Sequence, residues 1–386
     1  MPKIVVKKTN IKDNRVAPAG RILTGGSVLC AARERMGWIY DEFDHVVVSF
    51  SGGKDSTVVL ELALEEARKR GRLPLDVVFV DQEAEWEECI NYIRRTFSRE
   101  DIRAHWIQVP IKMSNNSSFD DKWITVWGEG EEWVRDREPE GESVRVNTWG
   151  EARFKKLGAA YVEHLYPKGK IAQILGIRCE ESPGRRMGLT SFEAYGGETW
   201  GSLHKRKGDR VVSHWCPVYD WAYTDVWKYI HDGGLDYCKI YDKYHQYGVR
   251  VREMRISSLL HETALKGLFH LQEIEPHTYV KLCKRIGGVD SYAKVGGEMS
   301  IRKLPYMFKD WREYRNYLLV HLIDAEDREN YWHRFQLLEK SFGGDDTVMQ
   351  ICVRALVIND SEFERAKNDI NKLKVRRKKL FYLKGK

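Results

Sequence analysis

The sequence holds no CxxC pair. Its seven cysteines are Cys30, Cys89, Cys179, Cys216, Cys238, Cys283 and Cys352, and the nearest two, Cys216 and Cys238, are 22 positions apart. That spacing excludes a local zinc or iron–sulfur motif, although a cluster gathered from distant cysteines stays open. No apolar run approaches the ~20 residues that a membrane helix needs; Ile171 to Ile177 is among the longest. The opening MPKIVVKK lacks the apolar core of a secretory signal, so the expectation is a cytoplasmic chain with no membrane contact and reduced thiols packed as small core residues. The commonest phosphate-loop spacing is missing too. Gly53-Lys54 is followed by Asp55, and Val48 stands where the first glycine of a Walker A loop would be. A GxGxxG fingerprint is absent, and no repeat period is visible.

What is present points to a folded α/β protein. With 386 residues and 42% hydrophobic content the chain can bury a core and divide into two units. Four β-rich runs, His45 to Phe50, Leu75 to Val80, Ala104 to Val109 and Ile171 to Ile177, alternate with helical stretches. This alternation predicts a parallel twisted sheet with helices on both faces. From Ser56 to Arg70, Val59, Leu62, Ala63 and Ala67 fall on one helical stripe and Gly71 ends it. Between Met113 and Trp149 the pattern breaks, and four tryptophans in that stretch argue for an ordered insertion. These rings would either stack on a base or anchor the insertion. Beyond about His231 helical periodicity dominates, including Trp311 to Leu322 and Asp327 to Phe342.

The expected organisation is therefore a leader over 1–24, a nucleotide-binding domain over 25–230 with its insertion at 113–149, a mainly helical domain over 231–371, and a basic tail over 372–386. That tail, KLKVRRKKLFYLKGK, carries eight basic residues and no acidic one, and without it the net charge falls from +7 to −1. It reads either as a nucleic-acid contact or as a solvated terminal helix.

The stretch Ser49-Phe-Ser-Gly-Gly-Lys-Asp-Ser-Thr57 follows the first strand and opens the first crossover helix. At such a place backbone N–H groups and the helix dipole converge on an anion. Gly52 and Gly53 allow close backbone approach, Ser51, Ser56 and Thr57 offer hydroxyls, and Lys54 offsets charge. Three further stretches stand at strand or helix ends: VVFVD ending in Asp81, GIRCEESPGRR from Gly176 to Arg186, and PVYDWAYTDVWKYI, with Thr224 read as a helix cap. Asp220, Trp221 and Trp227 in the last of these read as core and helix-start residues. Cys179 reads either as packing or as a sulfur carrier.

In this order the motifs resemble those of the phosphoadenosine-phosphosulfate (PAPS) reductase family, within the adenine nucleotide α-hydrolases, a Rossmann-like fold. The family includes the small subunit of bacterial ATP sulfurylase, and the resemblance spans roughly residues 25 to 230. It implies a PP-loop, SGGKDS, that holds the β- and γ-phosphates of ATP as a leaving pyrophosphate. The residues so implied to bind nucleotide are Ser49, Ser51, Gly52, Gly53, Lys54, Asp55, Ser56, Thr57, Asp81, Gly176, Arg178, Arg185 and Arg186. Lys54, Asp55 and Arg178 would act on the reacting phosphate, and Asp55 with Asp81 would hold Mg2+. Residues beyond 230, including YDKYHQYGVRVREMR, resemble the extension of immunoglobulin-binding regulator A proteins, a subgroup that implies a ParB-like partner protein. The chain lacks the E-C-G-[LI]-H cysteine motif of reductases proper. The retained loop instead favours cleavage of ATP between the α- and β-phosphates, with adenylation of an unknown acceptor, for sulfur transfer or nucleic-acid modification. The alternatives are a nucleotide-sensing or nucleic-acid-binding regulator and a PAPS reductase.

Overall fold

The computed structural model describes residues 25–114, 123–190, 195–207, 210–260, 265–287, 289, 304–357, 360, 363 and 369–371. The expected leader 1–24 and basic tail 372–386 lie outside the described residues.

Helix α1 (Val28–Glu42) leads into β1 (His45–Ser49), α2 (Lys54–Lys69), β2 (Leu75–Val80), α3 (Glu87–Phe97) and β3 (Ile102–Ile107). An antiparallel ribbon of β4 (Ile111–Ser114) and β5 (Trp123–Val126) follows, then α4 (Phe154–Leu165), β6 (Lys170–Ile174), α5 (Pro183–Thr190), β7 (Gly201–Lys207) and β8 (Arg210–Trp215). The main sheet has six strands in the order β3-β2-β1-β6-β8-β7, parallel except for β7 at the edge. Val46, Val47 and Val48 of β1 are buried between Val77 of β2 and Ile174 of β6. A continuous apolar run of this kind is what a central parallel strand, covered on both faces, requires.

The chain runs outward from β1 to β2 and β3, then returns past β1 to β6. Because such crossovers are right-handed, α2 and α3 cover one face and α4 the other. The ends of β1 and β6 therefore diverge at the reversal point, where open α/β sheets form their ligand crevice.

Strands β7 and β8 lie beyond the four expected. The Trp-rich insertion is more regular than its composition suggested, since β4 and β5 pair from Ile111↔Val126 to Ser114↔Trp123. Trp127, fully buried, donates its indole N–H to the Asp81 carbonyl at 2.9 Å, and Trp133 donates to Gly128 O at 2.8 Å. These two rings anchor the insertion.

Past the sheet come α6 (Tyr223–Asp232), α7 (Ile240–Gln246), a 3-10 turn at Val251–Glu253, α8 (Leu265–Ile274) and α9 (Pro276–Arg285). The cap of α6 is Ala222, not the expected Thr224; its N–H donates to Asp225 Oδ2 at 2.7 Å. One hydrophobic cluster takes in residues from Ala32 to Val289, so α7 to α9 pack with the sheet. Glu275, between α8 and α9, accepts from the Glu87 and Glu88 N–H groups at 2.8 and 3.2 Å and so caps α3. A second cluster joins α10 (Trp311–His321), α11 (Ala325–Phe342) and α12 (Asp346–Val357). We propose that the boundary between the two units follows this change of cluster. Among the described residues no helix is long and apolar enough to cross a membrane.

Candidate active site

The turn after β1 is shaped by its glycines. Gly52 has φ +69°, and a Cβ there would come within 2.7 Å of Cys89 Sγ on α3. Only glycine suits both the left-handed backbone and that contact. Gly53 caps α2 with extended backbone, so the N–H groups of Lys54, Asp55 and Ser56 begin the helix with no intrahelical acceptor. Those of Gly52, Gly53 and Asp55 have no protein acceptor among the described residues. Free N–H groups at the start of a helix are able to receive an anion.

The hydroxyls are less available than expected. Ser56 donates to Gly53 O at 2.9 Å and lies 3.2 Å from Ser51 Oγ. Thr57 is buried, and its hydroxyl is shared between Gly53 O at 3.1 Å and Tyr92 OH at 2.9 Å. Both therefore brace the turn, a correction to their reading as ligand hydroxyls. Ser49, at the end of β1, accepts from Gln173 Nε2 at 2.6 Å. Ser51 is the exposed hydroxyl of the loop.

The loop after β6 lies directly against this turn. A Cβ on Gly176 would sit 2.7 Å from Asp55 C and Ser56 N, so the glycine lets two backbones touch. Arg178, two residues on, is 4% exposed and donates through Nε to Asp55 Oδ1 at 2.5 Å. It also donates to Glu180 Oε2 at 3.0 Å and to the Trp221 carbonyl at 3.3 Å. Lys54, 5% exposed, lies 3.4 Å from Asp55 Oδ2. Burial lowers the pKa of its ammonium, with Asp55 opposing the shift. Arg185 pairs with Glu181 on the exposed side of the site, and Arg186 is half-buried on α5. The structure thus brings together Gly52, Gly53, Lys54, Asp55, Gly176 and Arg178, with Arg185 beyond them.

Asp81 does not join this group. It is fully buried, accepts from Trp106 Nε1 at 2.7 Å, from Gln108 Nε2 at 2.9 Å and from the Glu83 N–H at 2.9 Å, and pairs with Arg135. Its oxygens are spent on these donors, which corrects the reading of Asp81 as a magnesium ligand. Among the described residues no group of three His, Cys, Asp or Glu side chains is placed to hold a metal ion. The expected Asp55–Asp81 magnesium site is therefore not assembled from the protein side.

Sequence reading missed three contributors, all from the stretch after α6. Tyr241 accepts the Lys54 N–H through its hydroxyl at 3.1 Å, and its ring lies 5.1 Å below the lysine ammonium. The Met254 carbonyl accepts from Lys54 Nζ at 3.2 Å. Arg255 donates to the Glu181 carbonyl at 2.8 Å. The only available signal was the aromatic and basic density of YDKYHQYGVRVREMR. The other expected core residues hold structural contacts. Asp220 takes a bidentate bond from Arg35 at 2.9 and 2.7 Å, Trp221 donates to Val28 O at 3.1 Å, and Trp227 packs edge-on to Tyr241. The Cys179 N–H donates to Tyr219 O at 2.7 Å.

A cavity of about 340 Å³ lies away from the loop, where Glu87, Glu275 and His277 meet. Nearby Glu85 is 6% exposed, and burial together with the Asp81 charge raises its pKa to about 8. In the unfolded chain it titrates near the ordinary carboxylate value, so between about pH 5 and 8 the folded state holds the extra proton. Stability must then fall as pH rises through that window, by at most ~1.4 kcal/mol per pH unit. Glu85→Gln is expected to flatten that slope in denaturant melts at successive pH values. An unchanged slope would remove Glu85 as its source.

The chain matches the model of the phosphoadenosine phosphosulfate reductase domain over residues 45–303, and that of a domain of unknown function over residues 248–383. It is 28% identical over 340 residues to the uncharacterized protein YbdN of Escherichia coli, covering 81% of this chain and 79% of that protein. With an adenosine 5'-phosphosulfate reductase of Staphylococcus saprophyticus it shares 24% identity over 217 residues, covering 55% of this chain and 72% of the reductase. Among solved structures, the phosphoadenylyl-sulfate (PAPS) reductase from Candida auris superposes with a TM-score of 0.33 at 14% identity, covering 57% of this chain and 88% of that one. The FMN adenylyltransferase of Candida glabrata gives a TM-score of 0.33 at 15% identity, covering 58% of this chain and 62% of that one. The reductase-domain match spans well over half of the sequence, and the chain belongs to the phosphoadenosine phosphosulfate reductase domain family.

Proposed function

We propose that the protein cleaves ATP between the α- and β-phosphates and passes the adenylyl group to an acceptor. The observation that carries this reading is the complete SGGKDS turn at the reversal point of the sheet, with the N–H groups of Gly52, Gly53 and Asp55 lacking protein acceptors among the described residues. Such a turn suits the departing pyrophosphate, with Lys54 offsetting its charge. Arg178, reaching the loop from the neighbouring strand end, would meet the charge that develops on the α-phosphate as the acceptor attacks in line. The bond from the α-phosphorus to the bridging oxygen breaks as the bond to the acceptor forms, and the electron pair leaves with pyrophosphate. No step is assigned to magnesium, because the expected carboxylate pair is not assembled.

Thiol chemistry has weaker support. Cys89, directly behind the loop, is buried with its pKa raised, and burial pushes the Cys216 thiol up to about 12. Nucleophilic thiols need the opposite shift. The sensor reading has one observation in its favour, the engagement of Lys54 by Tyr241 and Met254. We further propose that residues past 230 form an extension like that of the immunoglobulin-binding regulator A group. A ParB-like protein or a nucleic acid would then be the partner.

Incubation with α-labelled ATP separates the three readings. AMP or an adenylylated product with pyrophosphate is expected. Saturable binding of unchanged ATP would favour a sensor, and thioredoxin-dependent sulfite release from PAPS would favour a reductase; either result overturns the proposal.

A further inference from the structure

The cations around the loop are not equally matched. Lys54 has Asp55, Arg178 has Asp55 and Glu180, and Arg185 has Glu181. Arg255 alone of the four has no carboxylate partner among the described residues; it donates instead to the Glu181 carbonyl. Its position is nonetheless fixed. Met254, the residue before it, is 2% exposed and its carbonyl holds the Lys54 ammonium, while the Arg255 guanidinium is tied to the loop that carries Arg178 and leads into α5, where Arg185 stands.

We infer that Arg255 is a phosphate-facing residue of the nucleotide site, supplied by the segment beyond the sheet and completing the positive edge formed by Lys54 and Arg185. This rests on the proposed use of ATP and assigns Arg255 to the β- and γ-phosphates, the end of the nucleotide that the loop would grip. Its charge is close enough to lower the proton affinity of both Lys54 and Arg185. Like charges held this near one another are stabilised by an anion between them. The bland alternative is a surface arginine that ties the 3-10 turn to the loop and nothing more. That alternative predicts that removing Arg255 changes the binding of no ligand according to its phosphates.

Calorimetric binding of ATP, inorganic pyrophosphate and AMP to the full chain tests the assignment. Four proteins are compared: wild type, Arg255→Ala, Arg255→Lys and Arg252→Ala. Arg252 is exposed on the same segment and serves as a control for general charge. Loss of a hydrogen bond to a charged group predicts ~10-fold or greater weakening of ATP and pyrophosphate binding in Arg255→Ala. AMP affinity should stay within about twofold, Arg255→Lys should recover part of the loss, and Arg252→Ala should match wild type. If the wild type binds ATP and pyrophosphate and Arg255→Ala binds them equally well, the inference is wrong while the ATP reading stands. Equal weakening of ATP and AMP, or equal weakening in Arg252→Ala, also overturns it. Failure of the wild type to bind either ATP or pyrophosphate removes the functional reading and this assignment together.

Discussion

Arg178→Ala should lose on the order of 10³-fold or more in pyrophosphate release, the range seen when an arginine that meets transition-state charge is removed, and it should also melt earlier than wild type. The two losses have one origin. Arg178 is 4% exposed and is the shared cation of Asp55 and Glu180. Truncating it removes the guanidinium from Glu180 and leaves Asp55 with Lys54, in a poorly solvated place where breaking a buried pair typically costs about 3–5 kcal/mol. Arg178→Lys separates the effects, because an ammonium keeps the charge but not the fork that reaches Asp55, Glu180 and the Trp221 carbonyl together. It should recover most of the melting temperature and little of the turnover. Lys54→Ala is the complementary case: Asp55 keeps Arg178, and the Met254 carbonyl loses its donor, so the fold should suffer less than the chemistry. Calorimetric melts and release of labelled pyrophosphate measure the two quantities in parallel. A folded Arg178→Ala protein with near wild-type pyrophosphate release would show that the arginine meets no transition-state charge.

What the sequence made legible was local. The loop, the strand before it and the helix after it are contiguous, so the change from apolar run to glycines to helical stripe could be read directly. Gly176 and Arg178 were found for the same reason, as a strand end with a recognisable pattern. Asp81 shows where this stops. A carboxylate at a strand end is a ligand only if its oxygens are free, and its partners Trp106, Gln108 and Arg135 come from β3, the residue just past it and the insertion. Nothing in VVFVD foretells them. Strand β7 was hidden because its sequence, GSLHKRK, is mostly polar and it lies at a sheet edge, where alternation is weak. Tyr241, Met254 and Arg255 escaped because they reach the site only through the packing of α7 and the 3-10 turn on the sheet, nearly two hundred positions along the chain from Lys54.

Gly176→Ala is expected to abolish measurable ATP binding, with a smaller loss of stability. The reason lies in what the added methyl would meet. At Gly176 the nearest atoms are Asp55 C and Ser56 N at 2.7 Å and Asp55 O at 2.9 Å, all backbone of the first turn of α2. No rotamer change can relieve that contact, so the loop after β6 and the start of α2 must move apart. Overpacking of this kind costs typically ~1–3 kcal/mol, which a domain of this size can absorb. The geometry of the anion site cannot, because the unpartnered N–H groups and Arg178 belong to the two segments being separated. Gly52 offers a contrast. Its added methyl would meet the Cys89 thiol at 2.7 Å, a side chain, but its φ of +69° would remain strained whatever Cys89 became. Cys89→Ala should therefore rescue Gly52→Ala only partly, and no side-chain substitution should rescue Gly176→Ala. Isothermal titration with ATP, read beside the melting temperature, checks both. ATP affinity within a few-fold of wild type in a folded Gly176→Ala protein would mean that nucleotide does not lie between these two loops, and the site would have to be sought elsewhere.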